Sequence, residues 1–165
     1  MEVSEQIDVI VPVLGALVKG VRPDQLDDPT PCVNFRVRDL MGHFLGNLDS
    51  VAGGLRGEPM PDELAPRPEI LGDDPGKAYD AVMADFRDAI RTPGAMDRVL
   101  KVPFGEVPAP ALVGFVAFDL IVHSWDIATA TGQQYTPPDE LVAEVEPPAD
   151  ATPLERLVAF SGRHP

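Results

Sequence analysis

The sequence predicts an all-α protein built as a four-helix bundle. Four segments repeat apolar residues at three- and four-residue spacing, which is the period of a helix with one buried face. Strand-like patterning is scarce, and only residues 99–102 form a short run that favours extended backbone. The connecting segments differ in length and are rich in proline and glycine. Because 165 residues suffice for one well-buried domain and are few for two, we expect a single domain over residues 1–165.

The first two helices are predicted over residues 4–19 and from about Val37 to residues 53–57. Pro12 is expected to kink or delay the first helix, since proline cannot donate the backbone hydrogen bond. The core face of the second helix consists of Leu40, Phe44, Leu48, Val51 and Leu55. His43 lies on the flank of this face, beside Asn47, and can therefore face a cleft between helices.

The third helix is predicted to begin after a proline- and glycine-rich loop over residues 58–73. Asp74 is suited to cap its first turn, with Pro75 as an early helical residue. Apolar residues then recur at helical spacing as far as Ile90, before a Thr-Pro-Gly sequence ends the helix. A further short helix is expected over residues 153–161.

The fourth helix is predicted from the prolines at 108 and 110 to about Thr131, with Gly132 as its C-terminal cap. It is apolar on nearly all sides. One stripe consists of Leu112, Phe115, Val116, Ile127 and Ala130, and the opposite side carries Phe118, Ile121, Val122 and Trp125. Such a helix is either central in the bundle or packed against a second subunit, so we expect a homodimer.

Asp119 and His123 are one helical turn apart within the apolar stripe of the fourth helix. Ionisable groups in a core need a partner, which here is either the other residue or a metal ion. Helical bundles build metal sites from facing helices, so His43 together with Asp119 and His123 predicts a divalent-metal site between helices two and four. The alternative is a buried His–Asp hydrogen bond with an unrelated His43. Asp126 could accept a hydrogen bond from the His123 ring or bond to a neighbouring loop.

Composition restricts the partners and the location. The net charge of −14 argues against nucleic acids and anionic membranes as partners. The sequence starts with acidic residues and contains no uncharged apolar stretch of about 18 residues, so neither a signal peptide nor a membrane span is expected. We therefore expect a cytoplasmic protein. Cys32 is the single cysteine and is expected to be a small buried apolar residue rather than a nucleophile, which leaves histidine and carboxylate as metal ligands.

Three motifs resemble the DinB-like superfamily, in its mycothiol-dependent maleylpyruvate isomerase branch. TPCVNFRVRDLMGHFLGN at residues 30–47 is similar to the pattern that opens its second helix, and FDLIVHSWDIATATGQ at residues 118–133 to its fourth helix. PLERLVAFSGRHP at residues 153–165 resembles its C-terminal signature. Asp119 stands where the isomerase has glutamate, and Phe35 where the family often has tryptophan. The region from about residue 133 is shorter than in the family.

The resemblance implies a helical bundle that binds a divalent metal, commonly zinc, through His43, Asp119 and His123. It also implies mycothiol as a cofactor, and metal-assisted transfer of a low-molecular-weight thiol, or isomerisation, on a small electrophile. Three protein ligands would leave one position of a tetrahedral zinc ion for a reactant. The rival hypothesis is a non-catalytic metal-binding or purely structural bundle, which the shortened C-terminal region favours.

Overall fold

Four long helices dominate the computed structural model, which describes residues 1–142. They are α1 (Val3–Gly20), α2 (Val37–Arg56), α3 (Pro75–Ile90) and α4 (Ala109–Thr131). The helix α1 packs on α3 and α4, and α2 packs on the same two helices, so the four enclose one apolar core. The predicted all-α four-helix bundle is confirmed. A short helix, α5 (Asp139–Val142), follows the bundle, whereas the helix predicted over residues 153–161 lies outside the described residues.

The helix ends follow local sequence chemistry. The Asp74 carboxylate accepts a hydrogen bond from the backbone N–H of Lys77 at 3.1 Å and so caps α3 as predicted. Gly57 and Gly132 adopt left-handed backbone angles, with φ of 95° and 68°, and end α2 and α4. Pro12 lies inside α1, which begins at Val3, so the expected delay of this helix is wrong. Packing against two other helices offsets the one missing hydrogen bond.

A two-stranded antiparallel hairpin separates α3 from α4. The strand β1 (Val99–Val102) confirms the predicted extended run and pairs with β2 (Gly105–Pro108), with Leu100 opposite Val107. The strand β2 was not predicted, because a four-residue segment bounded by glycine and proline has little strand propensity of its own. Pairing with β1 is what makes it a strand. The turn of this hairpin carries Phe104, whose exposed fraction is 67%.

Gly42 in α2 permits a close approach by the loop that follows this helix. A Cβ atom at this position would lie 2.6 Å from the Cα atom of Pro68, so no larger residue fits without moving backbone. The backbone N–H of Arg67 donates a hydrogen bond to the Gly42 carbonyl at 3.2 Å. The loop is thereby held against the turn of α2 that carries His43.

The helix α4 lies in the centre of the packing. It is long and apolar enough to cross a membrane by length and composition, and 67% of its most apolar window is buried inside the protein. That degree of burial is expected of the core helix of a bundle, so length and composition are weak evidence for a membrane span here. The predicted stripe is confirmed at Leu112, Val116 and Ile127 and is wrong at Phe115, whose exposed fraction is 58%.

Candidate metal centre

The helix α2 supplies His43 from the flank of its core face. The neighbouring core residues Leu40 and Phe44 are almost fully buried and fix the rotation of the helix, so His43 is half-buried and faces α4. The side-chain amide of Asn47, one turn further, lies 3.3 Å from Nε2 of His43. The ring of Phe35, which precedes α2, lies 5.2 Å from the imidazole between centroids. These contacts hold the His43 ring at the gap between α2 and α4.

The helix α4 supplies Asp119 and His123 on one face. The distance between Oδ1 of Asp119 and Nε2 of His123 is 3.3 Å. The His123 side chain is only 3% exposed, whereas that of Asp119 is 28% exposed. Within the described residues, the buried Nε2 atom of His123 has no well-directed hydrogen-bond partner. Because Asp119 is the more exposed of the two residues, solvent reaches this pair on the side of the Asp119 carboxylate.

Asp126 contacts the other nitrogen of the same imidazole. Its Oδ2 atom lies 3.0 Å from Nδ1 of His123, and its side chain is fully buried. A proton on Nδ1 donates to this carboxylate, which fixes the orientation of the ring and leaves Nε2 directed towards Asp119. Of the two roles considered for Asp126 from the sequence, the structure supports that of hydrogen-bond acceptor for His123.

The electrostatics of His123 reflect these two carboxylates. Burial lowers the pKa of the imidazole, because an apolar environment disfavours the charged ring. The negative charges of Asp119 and Asp126 have the larger combined effect and raise the pKa of His123 to about 9. In the metal-free chain at neutral pH, the His123 ring is therefore protonated. A metal ion at Nε2 would have to displace that proton.

The three predicted ligands converge. One donor atom each from His43, Asp119 and His123 lies within 4.8 Å of the others. The two imidazole rings are nearly perpendicular, at 89°, with centroids 5.4 Å apart. A tetrahedral zinc ion with bonds of about 2.0–2.1 Å holds its ligand atoms roughly 3.3 Å apart. The separation of the Asp119 and His123 donor atoms equals this value. The His43 donor atom lies within 4.8 Å of both, so the chemistry and spacing of the donor set are compatible with a small divalent cation.

Cys32 is nearer to this cluster than the sequence suggested. It is partly buried, and its Sγ atom, a ring nitrogen of His123 and a carboxylate oxygen of Asp126 lie within 4.8 Å of one another. Cys32 packs against the core as a partly buried residue, close to its predicted role. Its thiol is nevertheless near enough to His123 and Asp126 to be a further candidate ligand, and the restriction of metal ligands to histidine and carboxylate stays a prediction. The hydroxyl of Thr30 donates hydrogen bonds to the carbonyls of Cys32 and Phe35, which holds this loop beside α2. The position of Cys32 in the loop shortly before the helix of His43 was the one indication in the sequence.

The comparisons with known proteins agree with the fold. Residues 11–128 match the family described as the mycothiol maleylpyruvate isomerase N-terminal domain, and this range contains all three converging residues. The uncharacterised proteins MT0763 and Rv0738 of Mycobacterium tuberculosis, from strains CDC 1551 / Oshkosh and ATCC 25618 / H37Rv, are each 32% identical to this chain over 172 residues. The alignment covers 90% of this chain and 91% of each relative.

Solved structures give the same result at lower sequence identity. The crystal structure of the mycothiol-dependent maleylpyruvate isomerase superposes with a TM-score of 0.67 at 14% identity. A mutant of that enzyme gives a TM-score of 0.67 at 13% identity. Each superposition covers 88% of this chain and 68% of the isomerase chain, and at such identities the likeness establishes the fold. The match over residues 11–128 extends this conclusion from fold to family: the chain belongs to the mycothiol maleylpyruvate isomerase N-terminal domain family.

Proposed function

We propose that this protein binds one divalent cation, zinc, through His43, Asp119 and His123, and that it catalyses metal-assisted transfer of a low-molecular-weight thiol to a small electrophile, or isomerisation of that electrophile. The observation that carries the proposal is the convergence of three donor atoms from two helices at the edge of the core. Membership of the mycothiol maleylpyruvate isomerase N-terminal domain family supports mycothiol as the thiol.

The residues around the donor atoms would orient the ligands, admit reactants and shape the surroundings in such a reaction. A bound divalent cation would lower the pKa of a thiol or water beside it and so supply a nucleophile at neutral pH. Asp126 orients the His123 ring through Nδ1. Asp119 is partly exposed, so reactants reach the donor set on its side. The rings of Phe35 and Phe44 pack near the two imidazoles, at 5.2 and 6.3 Å between centroids, and make their surroundings more apolar.

Metal content tests this proposal most directly. Protein purified without a histidine tag is expected to contain close to one zinc ion per chain by elemental analysis. His43→Ala should lose most of it, because two ligands from one helix bind far more weakly than three from two helices. Asp49→Asn, an exposed carboxylate on the same helix, is the matched control and should keep the metal. Full occupancy in His43→Ala would exclude α2 from the site.

The second candidate is a non-catalytic helical bundle in which His123 forms ion pairs with Asp119 and Asp126 that stabilise the fold. The observation in its favour is the pair of carboxylates on either side of the imidazole, since these groups satisfy one another without a metal. This hypothesis predicts a folded protein with no divalent ion and no thiol-dependent activity. Thiol-dependent consumption of a small electrophile that is lost in both Asp119→Ala and His123→Ala, with both variants shown to fold, would exclude it.

A further inference from the structure

An apolar cleft opens between α2, α4 and the β1–β2 hairpin. Its walls are mostly apolar. The apolar side chains from the two helices include Phe44, Leu48 and Val51 of α2, and Leu112 and Val116 of α4. The two polar side chains that line it are Asn47 and Asp119.

The inner end of the cleft adjoins the converging donor atoms. Asp119 belongs both to the cleft wall and to the donor set. Asn47 contributes to the same wall, and its amide lies 3.3 Å from Nε2 of His43. Phe44 contacts the cleft and stacks near the His123 ring, at 6.3 Å between centroids. A ligand in the cleft would therefore place one end at the proposed metal and its body among apolar side chains.

The charge of the cleft restricts what it can bind. Among the described residues that line it, none is lysine, arginine or histidine, and the one charged group is the Asp119 carboxylate. Maleylpyruvate is a dicarboxylate. A metal ion at the inner end can neutralise one carboxylate, and the second would lie against carbon without a cation, which is costly. A neutral ligand incurs no such penalty.

Two aromatic side chains at the cleft are largely exposed. Phe104 from the hairpin turn is 67% exposed, and Phe115 from α4 is 58% exposed. Both line the same cleft, and they come from different elements. Exposed aromatic residues that line a concave site are typical of surfaces that an apolar ligand covers.

We propose that this cleft binds the apolar body of a neutral, hydrophobic electrophile, such as an aryl-substituted enone, and discriminates against dicarboxylates. The reaction assigned to such a ligand rests on the proposed function. In that reaction the thiol adds across the C=C bond: sulfur bonds to the β-carbon, the thiol proton ends on the α-carbon, and no oxidant or reductant is required.

Binding is tested first without chemistry. Isothermal titration of the full chain with 4-phenylbutan-2-one, an unreactive neutral ketone, is compared with titration with maleate, a small dicarboxylate. The ketone is expected to bind at least tenfold more tightly. Phe115→Lys should weaken ketone binding at least tenfold and leave the metal content unchanged, because Phe115 is not a ligand. Val99→Lys, an exposed position on the hairpin that does not line the cleft, is the matched control and should leave ketone binding unchanged.

The outcomes separate this proposal from the proposed function. Ketone binding that depends on Phe115 in protein with no metal would support the cleft assignment and overturn the metal-dependent chemistry. Tighter binding of maleate than of the ketone, or equal ketone affinity in Phe115→Lys and the unmodified chain, would overturn the cleft assignment. The reactive enone 4-phenylbut-3-en-2-one tests the chemistry. If metal-loaded protein converts maleylpyruvate and does not convert this enone, the cleft assignment is overturned and the proposed thiol transfer is supported.

Discussion

His123 is held between two carboxylates from its own helix, and this arrangement defines the chemistry of the site. Asp126 is one turn towards the C-terminus and contacts Nδ1, while Asp119 is one turn towards the N-terminus and contacts Nε2. The two acids differ in exposure: Asp126 is fully buried and Asp119 faces the cleft. Asp126 is therefore suited to orient the ring, and Asp119 to bind a ligand.

Asp126→Asn is expected to weaken metal binding by roughly 10- to 100-fold, which is the usual effect of losing an acceptor behind a ligating histidine. The fold should persist, because the amide has nearly the same shape. Ser124→Ala is the control, since the Ser124 hydroxyl donates to the Leu120 carbonyl and is not among the donor atoms. Zinc competition with a fluorescent chelator measures both affinities. Equal affinities in the two variants would contradict the orienting role.

The raised pKa of His123 predicts how the metal-free protein responds to pH. The folded-state pKa is about 9, above the value near 6.5 of an unfolded histidine. The protonated ring therefore stabilises the fold fully below about pH 6.5, and this stabilisation is lost as pH rises through about 9. After chelation, the melting temperature should fall by several degrees across this interval.

Two comparisons isolate the cause of that pH effect. His123→Gln should abolish most of the pH dependence, because it removes the titrating group. Zinc-loaded protein should show the reverse trend, since metal binding requires the neutral ring and therefore strengthens as protons leave. Thermal unfolding at a series of pH values measures all three samples. A chelated wild-type protein with the same melting temperature at pH 6.5 and pH 9 would show that the ion-pair cluster does not stabilise the fold.

At the scale of single elements, the position of His43 depends on how closely the loop after α2 approaches that helix. Gly42 precedes His43 and contacts the backbone of Pro68, where a Cβ atom would lie 2.6 Å away. Because residue 42 has no side chain, the 3₁₀ turn at Pro68–Leu71 can pack directly against the backbone of α2. Hydrophobic periodicity indicates the helix but cannot indicate this contact, because its partner is distant in the chain.

Gly42→Ala is expected to destabilise the protein by about 1–3 kcal/mol, the usual cost of forcing extra volume into a packed site. Gly114→Ala in α4 is the matched control, because its Cβ atom would meet only Val3 Cγ2 at 3.7 Å. Removing a helical glycine there should stabilise by up to about 1 kcal/mol. Chemical denaturation measures both free energies of unfolding. Equal changes of the same sign would show that the contact with Pro68 imposes no constraint.

At the scale of the whole molecule, the structure leaves less exposed apolar surface on α4 for a homodimer than the sequence predicted. The side of α4 that predicted it includes Ile121 and Val122, which are 4% and 1% exposed and so are covered within one chain. Phe118 is half-buried and packs against the core, and Trp125 is also half-buried. The homodimer stays a prediction, as do the cytoplasmic location and the single domain over residues 1–165.

Light scattering at micromolar concentration is the measurement for the association state. A homodimer should give twice the chain mass of 17.7 kDa. Trp125→Arg should then reduce the mass to that of one chain, since a charged group on a buried interface prevents association. Val33→Arg, on an exposed loop residue, serves as the control. A monomer at all concentrations of the unmodified protein would exclude the homodimer.

The sequence by itself determined the number and order of the long helices and the pairing of Asp119 with His123, because both follow from spacings within one segment. Helical periodicity and capping residues are local, and they placed α3 and α4 almost to the residue. The convergence of His43 on that pair was predicted from the bundle architecture and from the family resemblance, and not from a local spacing. The position of Cys32, the exposure of Phe115 and the apolar cleft were decided by tertiary structure alone. Each depends on which segments meet in space, and a local pattern contains no information about contacts between residues that are distant in the chain.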